Sequence, residues 1–193
     1  MFNKKDFIFH KRRVVPQESC DYIIRFFNSN VDLQSPGTIS GGSVRPDLKI
    51  DTEICFDGRK DHSWVLTEYL YPCVEKYKKE YPFINTLSTW RWYPGYKMQR
   101  YNPGEGYFKL HCENEGPDPT DEFMDKRVLA WMVYLNDVTD GGHTEFPSQN
   151  KKFQPRRGDV LIWPAYFTHP HRGVVSKTQT KYILTGWFVF NDM

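Results

Sequence analysis

A mainly β domain with helices at its amino-terminal end is the predicted fold class, and three observations predict it. Beyond Pro82 the 193-residue chain turns into short aromatic and β-branched segments separated by Gly, Pro, Asn and Asp, the texture of strands and turns. Aromatic residues make up 17% of the chain, which suits a sheet-rich core and a ring-lined pocket better than a helical bundle. Helical periodicity is confined to two stretches ahead of Pro82. The expected architecture is an all-β sandwich or barrel over 83–193, supported by helices from 1–82 packed on the outside of the sheet. Neither a repeat nor a low-complexity linker separates the halves, so 1–193 reads as one domain.

Each element has its own warrant. Over 20–28, Cys20, Ile23, Ile24 and Phe27 recur at helical spacing behind Pro16, which fits a first turn. The stretch 30–49 is punctuated by Pro36, Gly37, Gly41, Gly42 and Pro46 and reads as a loop laid over something else, with a mobile tip. Over 61–81, Trp64, Val65, Tyr69, Leu70, Val74 and Tyr77 follow a helical period, acids early and lysines late as the macrodipole prefers. Pro72 should bend or split that helix. Two strands over 89–93 and 97–101 open the β half. The runs 128–134, 159–163 and 181–190 continue it, apolar enough for a sheet covered on both faces.

Composition narrows the function classes. Twenty-six basic and 24 acidic residues are interspersed, leaving a formal charge of +2, and no basic strip with interleaved aromatics tracks phosphates, so no nucleic-acid partner is expected. Cys20, Cys55, Cys73 and Cys112 show no C-x-x-C pairing and read as reduced thiols. No apolar run approaches the roughly 18 residues of a membrane span, and residues 1–13 are charged, without an apolar leader. A cytoplasmic protein is the expectation.

The chemistry concentrates in His111-Cys112-Glu113 and, 58 residues after His111, in His169-Pro170-His171, followed by Lys181. On a β-strand, residues two apart share a face, so His111 and Glu113 can hold one ion while Cys112 faces away. A later strand then supplies the third ligand from His169 or His171. Two neutral imidazoles and one carboxylate suit Fe(II), and such a set leaves coordination positions open. The bland alternative is that an H-x-E pair arises by chance and the two later histidines cap a polar loop. Lys181 has a bland reading as a solvated strand residue. Yet it opens a run, Tyr182 to Phe188, too apolar for a free strand, so the ammonium needs a partner.

The order of the remaining motifs decides between these readings. Tyr101 stands ten residues before His111. Asn102-Pro103-Gly104-Glu105-Gly106 precedes the H-x-E pair, and Tyr134-Leu135-Asn136, Gly141-Gly142-His143-Thr144-Glu145-Phe146 and Arg156-Arg157-Gly158-Asp159 follow it. Together they resemble the prolyl-4-hydroxylase-like branch of the 2-oxoglutarate, Fe(II)-dependent dioxygenases, over about 100–190. In that family an H-x-D strand is followed by a distal His and, about ten residues later, by a Lys or Arg that holds the far carboxylate of 2-oxoglutarate. The resemblance therefore implies a double-stranded β-helix, the cupin-like jelly roll, with the amino-terminal helices packed on its sheet. It implies His111, Glu113 and His171 as iron ligands, the ten-residue step to Lys181 favouring His171 over His169. Lys181 is then the 2-oxoglutarate anchor, with Tyr101, Tyr134 and, more weakly, Thr185 beside it. His143 would lie at the surface or on the substrate side and Thr144 would point into the pocket. Arg100, Arg127, Trp131, Trp163 and Trp187 are read first as structural packing, a place in the pocket or behind the ligands being the alternative for each.

Glu113 departs from the family's Asp by one methylene, which bears on iron geometry, and it leaves no vacancy of the kind halogenating relatives use for halide. The resemblance implies hydroxylation of an unactivated C–H bond with release of succinate and CO2. The cofactors are Fe(II) and 2-oxoglutarate, with L-ascorbate as an accessory reductant, and no side chain serves as acid or base. A prolyl residue in a peptide or protein is the implied substrate, with the 30–49 loop as a lid. A free amino acid, or a non-catalytic metal-binding module, are the rival readings.

Overall fold

The computed structural model describes residues 6–39, 42–57, 64–115 and 123–191. In chain order these form β1 (Phe9–Lys11), α1 (Gln17–Ser29), β2 (Ser35–Pro36), β3 (Lys49–Ile50), β4 (Thr52–Asp57), a π-helical stretch (Val65–Leu70) and α2 (Tyr71–Glu80). There follow β5 (Trp90–Tyr101), β6 (Gly106–Tyr107), β7 (Arg127–Tyr134), β8 (Thr144–Phe146), β9 (Lys151–Phe153), β10 (Val160–Pro164), β11 (Arg172–Gly173) and β12 (Lys181–Phe190). A seven-stranded sheet runs β1-β10-β7-β12-β5-β4-β2, a three-stranded sheet β11-β8-β9, and a pair β3-β6, with every pairing antiparallel.

The large sheet separates two apolar layers. Cys20, Ile23 and Phe27 of α1 and Val74 and Tyr77 of α2 join Ile54, Met98, Leu129, Trp131, Val133, Leu184 and Phe188 in one buried cluster. On the other side Tyr101, Ala130, Tyr134, Leu161, Trp163 and Ile183 pack with Phe146 of the small sheet. The predicted helices-on-sheet arrangement thus forms, and the period-2 alternation of β12 shows how. Leu184 and Phe188 point to the helices, while Lys181, Ile183, Thr185 and Trp187 line a cavity on the opposite face.

Boundaries differ from the sequence expectation in instructive ways. The stretches 89–93 and 97–101 belong to one strand, β5, rather than two. Pro94 is tolerated there because the β5–β12 register slips between Gly186 and Phe188, so the missing N–H interrupts no regular ladder. Pro72 lies within one continuous helical run over 64–80, and the expected split appears as a change of helix type beside it, α2 beginning at Tyr71. The change of helix type comes just before it, at the π-helical stretch. Residues 58–63, where the second helical pattern was expected to begin, and Gly41 of the loop tip lie outside the described residues.

The Arg156–Asp159 turn ties the amino-terminal segment to the sheet. Val14 and Val15 donate their N–H groups to the Gly158 carbonyl at 2.8 and 3.1 Å. The buried Asp159 accepts from Arg13 N at 3.0 Å and meets His10 Nε2 at 2.8 Å. Gly158 has φ +78°, and a Cβ there would lie 2.2 Å from the Val15 carbonyl oxygen. Gly158→Ala is therefore expected to destabilise the fold by about 2 kcal/mol or more, read as a lower thermal midpoint.

Candidate active site

The H-x-E pair does not lie on a strand. His111 forms a single two-residue bridge with His171, each donating its N–H to the other's carbonyl, at 3.0 and 2.8 Å. The chain then turns, and Glu113 N donates to Ala165 O at 3.1 Å. The shared face predicted from strand alternation is produced instead by this backbone bridge and turn, which bring the three side chains together.

Ligand atoms of His111, Glu113 and His171 all lie within 4.8 Å of one another. His171 Nε2 is 3.1 Å from Glu113 Oε1. Two ligands at right angles, each about 2.1 Å from an ion, are about 3.0 Å apart, so this edge has the size of one edge of a coordination octahedron. Each ring is oriented from behind. His111 Nδ1 donates to Lys109 O at 2.9 Å and His171 Nδ1 to His169 O at 3.0 Å, leaving each Nε2 for a metal. Tyr107 stacks on the His111 ring at 3.8 Å, while Phe146 and Trp163 lie against His171 at 5.2 and 5.0 Å. His169 is differently employed: its Nε2 meets Asp6 O at 2.8 Å and its Nδ1 meets Thr168 Oγ1 at 2.9 Å. It has no ring nitrogen to offer.

Two of the three donors, His111 and Glu113, are held in the form that a metal requires. Burial, reinforced by the neighbouring His171, brings His111 down to about 3, so the imidazole is neutral. Burial alone would raise Glu113, but the His171 hydrogen bond and charge, with His111 and Arg127, bring it down to about 2. Ligation requires these deprotonated forms. Trp187 Nε1 donates to Glu113 Oε2 at 2.7 Å, and Arg127, stacked 3.8 Å over the Trp187 ring, donates to the Glu113 carbonyl at 2.8 Å. The longer carboxylate is thus fixed by two residues for which the sequence left open structural packing or a place in the pocket or behind the ligands. Trp187→Phe keeps the ring and removes the donor. Its expected effect is a loss of Fe(II) affinity of about tenfold, measured by metal titration.

A cavity of about 340 Å³ opens beside the three ligands, and Lys181, Tyr101, Thr185, Thr144 and Gly173 line it. Lys181 is 4% exposed. Its ammonium donates to Gly142 O at 3.1 Å and sits 4.6 Å over the Tyr101 ring. Among the described residues no carboxylate lies within ion-pair distance of it. Burial lowers it to about 8, offset only in part by the charge of Asp51. A buried ammonium with unused donors, facing a cavity beside a metal-ligand set, fits a dicarboxylate that bridges the two.

Residues 96–189 match the model of the 2OG-Fe(II) oxygenase superfamily. Over those residues, just under half of the chain, it carries that superfamily's sequence pattern. It is 32% identical over 106 residues to a putative prolyl 4-hydroxylase of Acanthamoeba polyphaga mimivirus, an alignment covering 48% of this chain and 43% of that protein. The chain thus spans less than half the length of that curated relative. In solved structures its fold matches a viral collagen prolyl hydroxylase from Paramecium bursaria Chlorella virus-1 in its 2OG complex, with TM-score 0.66, 18% identity and coverage of 96% and 97% of the two chains. It also matches a prolyl hydroxylase from Trichoplax adhaerens in complex with a hypoxia inducible factor oxygen degradation domain peptide fragment, with TM-score 0.70, 16% identity and coverage of 96% and 84%. The jelly-roll expectation is borne out, the likeness to prolyl 4-hydroxylases runs through both the sequence match and the fold, and the superfamily's Fe(II) and 2-oxoglutarate are groups that the ligand set and Lys181 fit.

The other residues singled out in the sequence are placed as follows. The Tyr101 hydroxyl donates to Gln99 Oε1 at 2.9 Å, and Tyr101 offers its ring face to Lys181. Tyr134 is fully buried one layer back, its hydroxyl meeting Thr144 Oγ1 at 2.6 Å and Phe153 O at 3.1 Å. Thr185 donates to Trp131 O at 3.0 Å from the cavity wall. Trp163 lines the cavity, Trp131 is core, and Arg100 lies over Phe27 on the helix side. His143 is outside the cavity lining, whereas Thr144 is part of it. Sequence reasoning missed Tyr107, Phe146, Gln99 and a buried charged group formed by Lys49, Asp51, Glu53 and Lys97. Charges at alternate positions, 49, 51 and 53, were the available signal.

Proposed function

We propose that this oxygenase hydroxylates an unactivated C–H bond of a prolyl residue in a peptide or protein, with release of succinate and CO2. The observation that carries the reading is the juxtaposition of the His111–Glu113–His171 set and the buried Lys181 in one cavity. When bound, Fe(II) with 2-oxoglutarate supplies an oxidant competent for such a bond. His111, Glu113 and His171 hold the metal, Lys181 anchors the far carboxylate, and the apolar walls of Met132, Trp163 and Ile183 exclude water. No side chain need transfer a proton.

Support for a peptide comes from the other half of the cavity. Thr38, Ile39 and Gly42 of the 30–49 loop border it together with Phe56, Tyr93, Tyr96 and Trp187, rings suited to packing on a pyrrolidine. The names of the mimivirus relative and of the Trichoplax complex point the same way. Cytoplasmic residence is part of the proposal. All four cysteines are free thiols, the state a reducing compartment maintains, and among the described residues no helix is long and apolar enough to cross a membrane.

Incubation with Fe(II), ascorbate, 2-oxoglutarate and a proline-containing peptide library tests the reading. Succinate release together with a mass gain of one oxygen on a proline is expected. Oxygen found on a free amino acid instead would move the substrate class. Metal binding without any succinate would favour a non-catalytic module.

A further inference from the structure

We propose that Glu53 is a positioning residue for the 2-oxoglutarate site, acting through Gln99 and Tyr101 on Lys181; the inference rests on the function proposed above. The strand register creates the path. Lys181 of β12 lies opposite Tyr101 of β5, and Glu53 of β4 lies opposite Gln99, two residues from Tyr101 on the same face of β5.

The direction of each hydrogen bond follows from the carboxylate. Glu53 is 2% exposed and takes donors from four sides: Thr38 Oγ1 at 3.3 Å, Lys49 Nζ at 3.2 Å, Lys97 Nζ at 2.7 Å and Gln99 Nε2 at 3.4 Å. An ionised carboxylate only accepts, so the Gln99 amide must turn its NH2 group toward it and its oxygen away. That oxygen accepts a hydrogen bond from the Tyr101 hydroxyl at 2.9 Å. Tyr101 is thereby held as a donor to Gln99, with its ring face beneath the Lys181 ammonium. Reversing the amide would set two oxygens against each other in a buried site.

Charge balance lets the arrangement persist. Lys49 Nζ is also 2.8 Å from Asp51 Oδ1, so two ammonium groups meet two carboxylates. Burial would raise Glu53, but Lys49 and Lys97 hold it below the usual carboxylate range and keep it ionised. Asp51 packs so tightly on Gly37 that a Cβ there would fall 1.6 Å from Asp51 Oδ1. An apolar cluster of the same shape would serve stability at least as well, since buried ion pairs seldom outperform it. Orientation is what apolar side chains would not supply.

Calorimetric binding of 2-oxoglutarate to the Mn(II)-loaded protein tests the relay, with Mn(II) affinity read separately. Gln99→Leu and Glu53→Gln are each expected to weaken 2-oxoglutarate about tenfold with Mn(II) affinity retained. In a Tyr101→Phe background, where the hydroxyl is gone, neither should cause further loss. Wild-type 2-oxoglutarate affinity in both single variants, or losses that multiply in the Tyr101→Phe background, would overturn the proposal. Should Gln99→Leu lose Mn(II) as well, Glu53→Gln, which preserves side-chain shape, decides in the same way. Failure of the unmodified protein to bind 2-oxoglutarate at all would instead refute the proposed function.

Discussion

His171→Ala is expected to abolish Fe(II) retention and to lower succinate formation by at least about a thousandfold, the loss of several kcal/mol of metal-derived stabilisation. Two consequences follow from the geometry. Glu113 Oε1 loses the imidazole 3.1 Å away, while Oε2 keeps Trp187 Nε1 at 2.7 Å and Arg127 Nη1 at 3.8 Å. The backbone bridge to His111 uses main-chain atoms only and survives, so the protein should stay folded. His169→Ala is the matched control. Its ring bonds to Asp6 O and Thr168 Oγ1 stabilise the fold, so about 1–3 kcal/mol of stability should go while bound iron remains. Iron content by metal analysis and unfolding by circular dichroism separate the two outcomes; equal iron loss in both variants would contradict the assigned ligand.

Lys181→Met should have the second largest effect, and it should move affinity and stability in opposite directions. Truncating one partner of a buried charge pair removes about 2–5 kcal/mol, so 2-oxoglutarate affinity is expected to fall by about thirtyfold or more, with iron content unchanged. The ligand-free protein should become more stable, by about 1–4 kcal/mol, because a desolvated ammonium facing only a carbonyl and a ring is replaced by an apolar chain of similar length. The pH dependence has a definite sign. Lys181 is depressed to about 8 from an ordinary 10.5, so folding penalises the protonated form below about 8, and ligand-free stability rises as pH climbs from there toward about 10. A dicarboxylate prefers the ammonium, so 2-oxoglutarate affinity should instead decline, by about tenfold per pH unit, above about 8. Affinity that stays flat from pH 7 to 10 would rule out Lys181 as the anchor.

Residue order carried much of this protein. The strand texture beyond Pro82, the helical period of Cys20, Ile23 and Phe27, and the spacing of His111, Glu113, His171 and Lys181 are all local or linear signals, and the fold and the gathering of these four residues at one cavity follow from them. Boundaries were less legible where a long-range partner sets them. Pro94 sits inside β5 because Trp187 of another strand introduces a slip opposite it, and nothing near Pro94 in sequence signals that slip. His111 and Glu113 meet through a bridge to a segment 60 residues away, not through strand alternation, so the grouping was foreseeable while its cause was not.

Side-chain direction is where the one-dimensional chain falls silent. Tyr101 and Tyr134 are both tyrosines near the pocket by spacing, yet one offers a ring face to Lys181 and the other a hydroxyl to Thr144. His169 and His171 differ by two residues, and it is the hydrogen bonds of His169 to Asp6 and Thr168 that occupy both of its ring nitrogens. Composition and periodicity suffice for elements and candidate ligands because both are set by neighbours along the chain. Which lone pair or ring face meets the cavity depends on groups brought from β4, β7 and the amino-terminal segment, and those meet only once the sheet has closed.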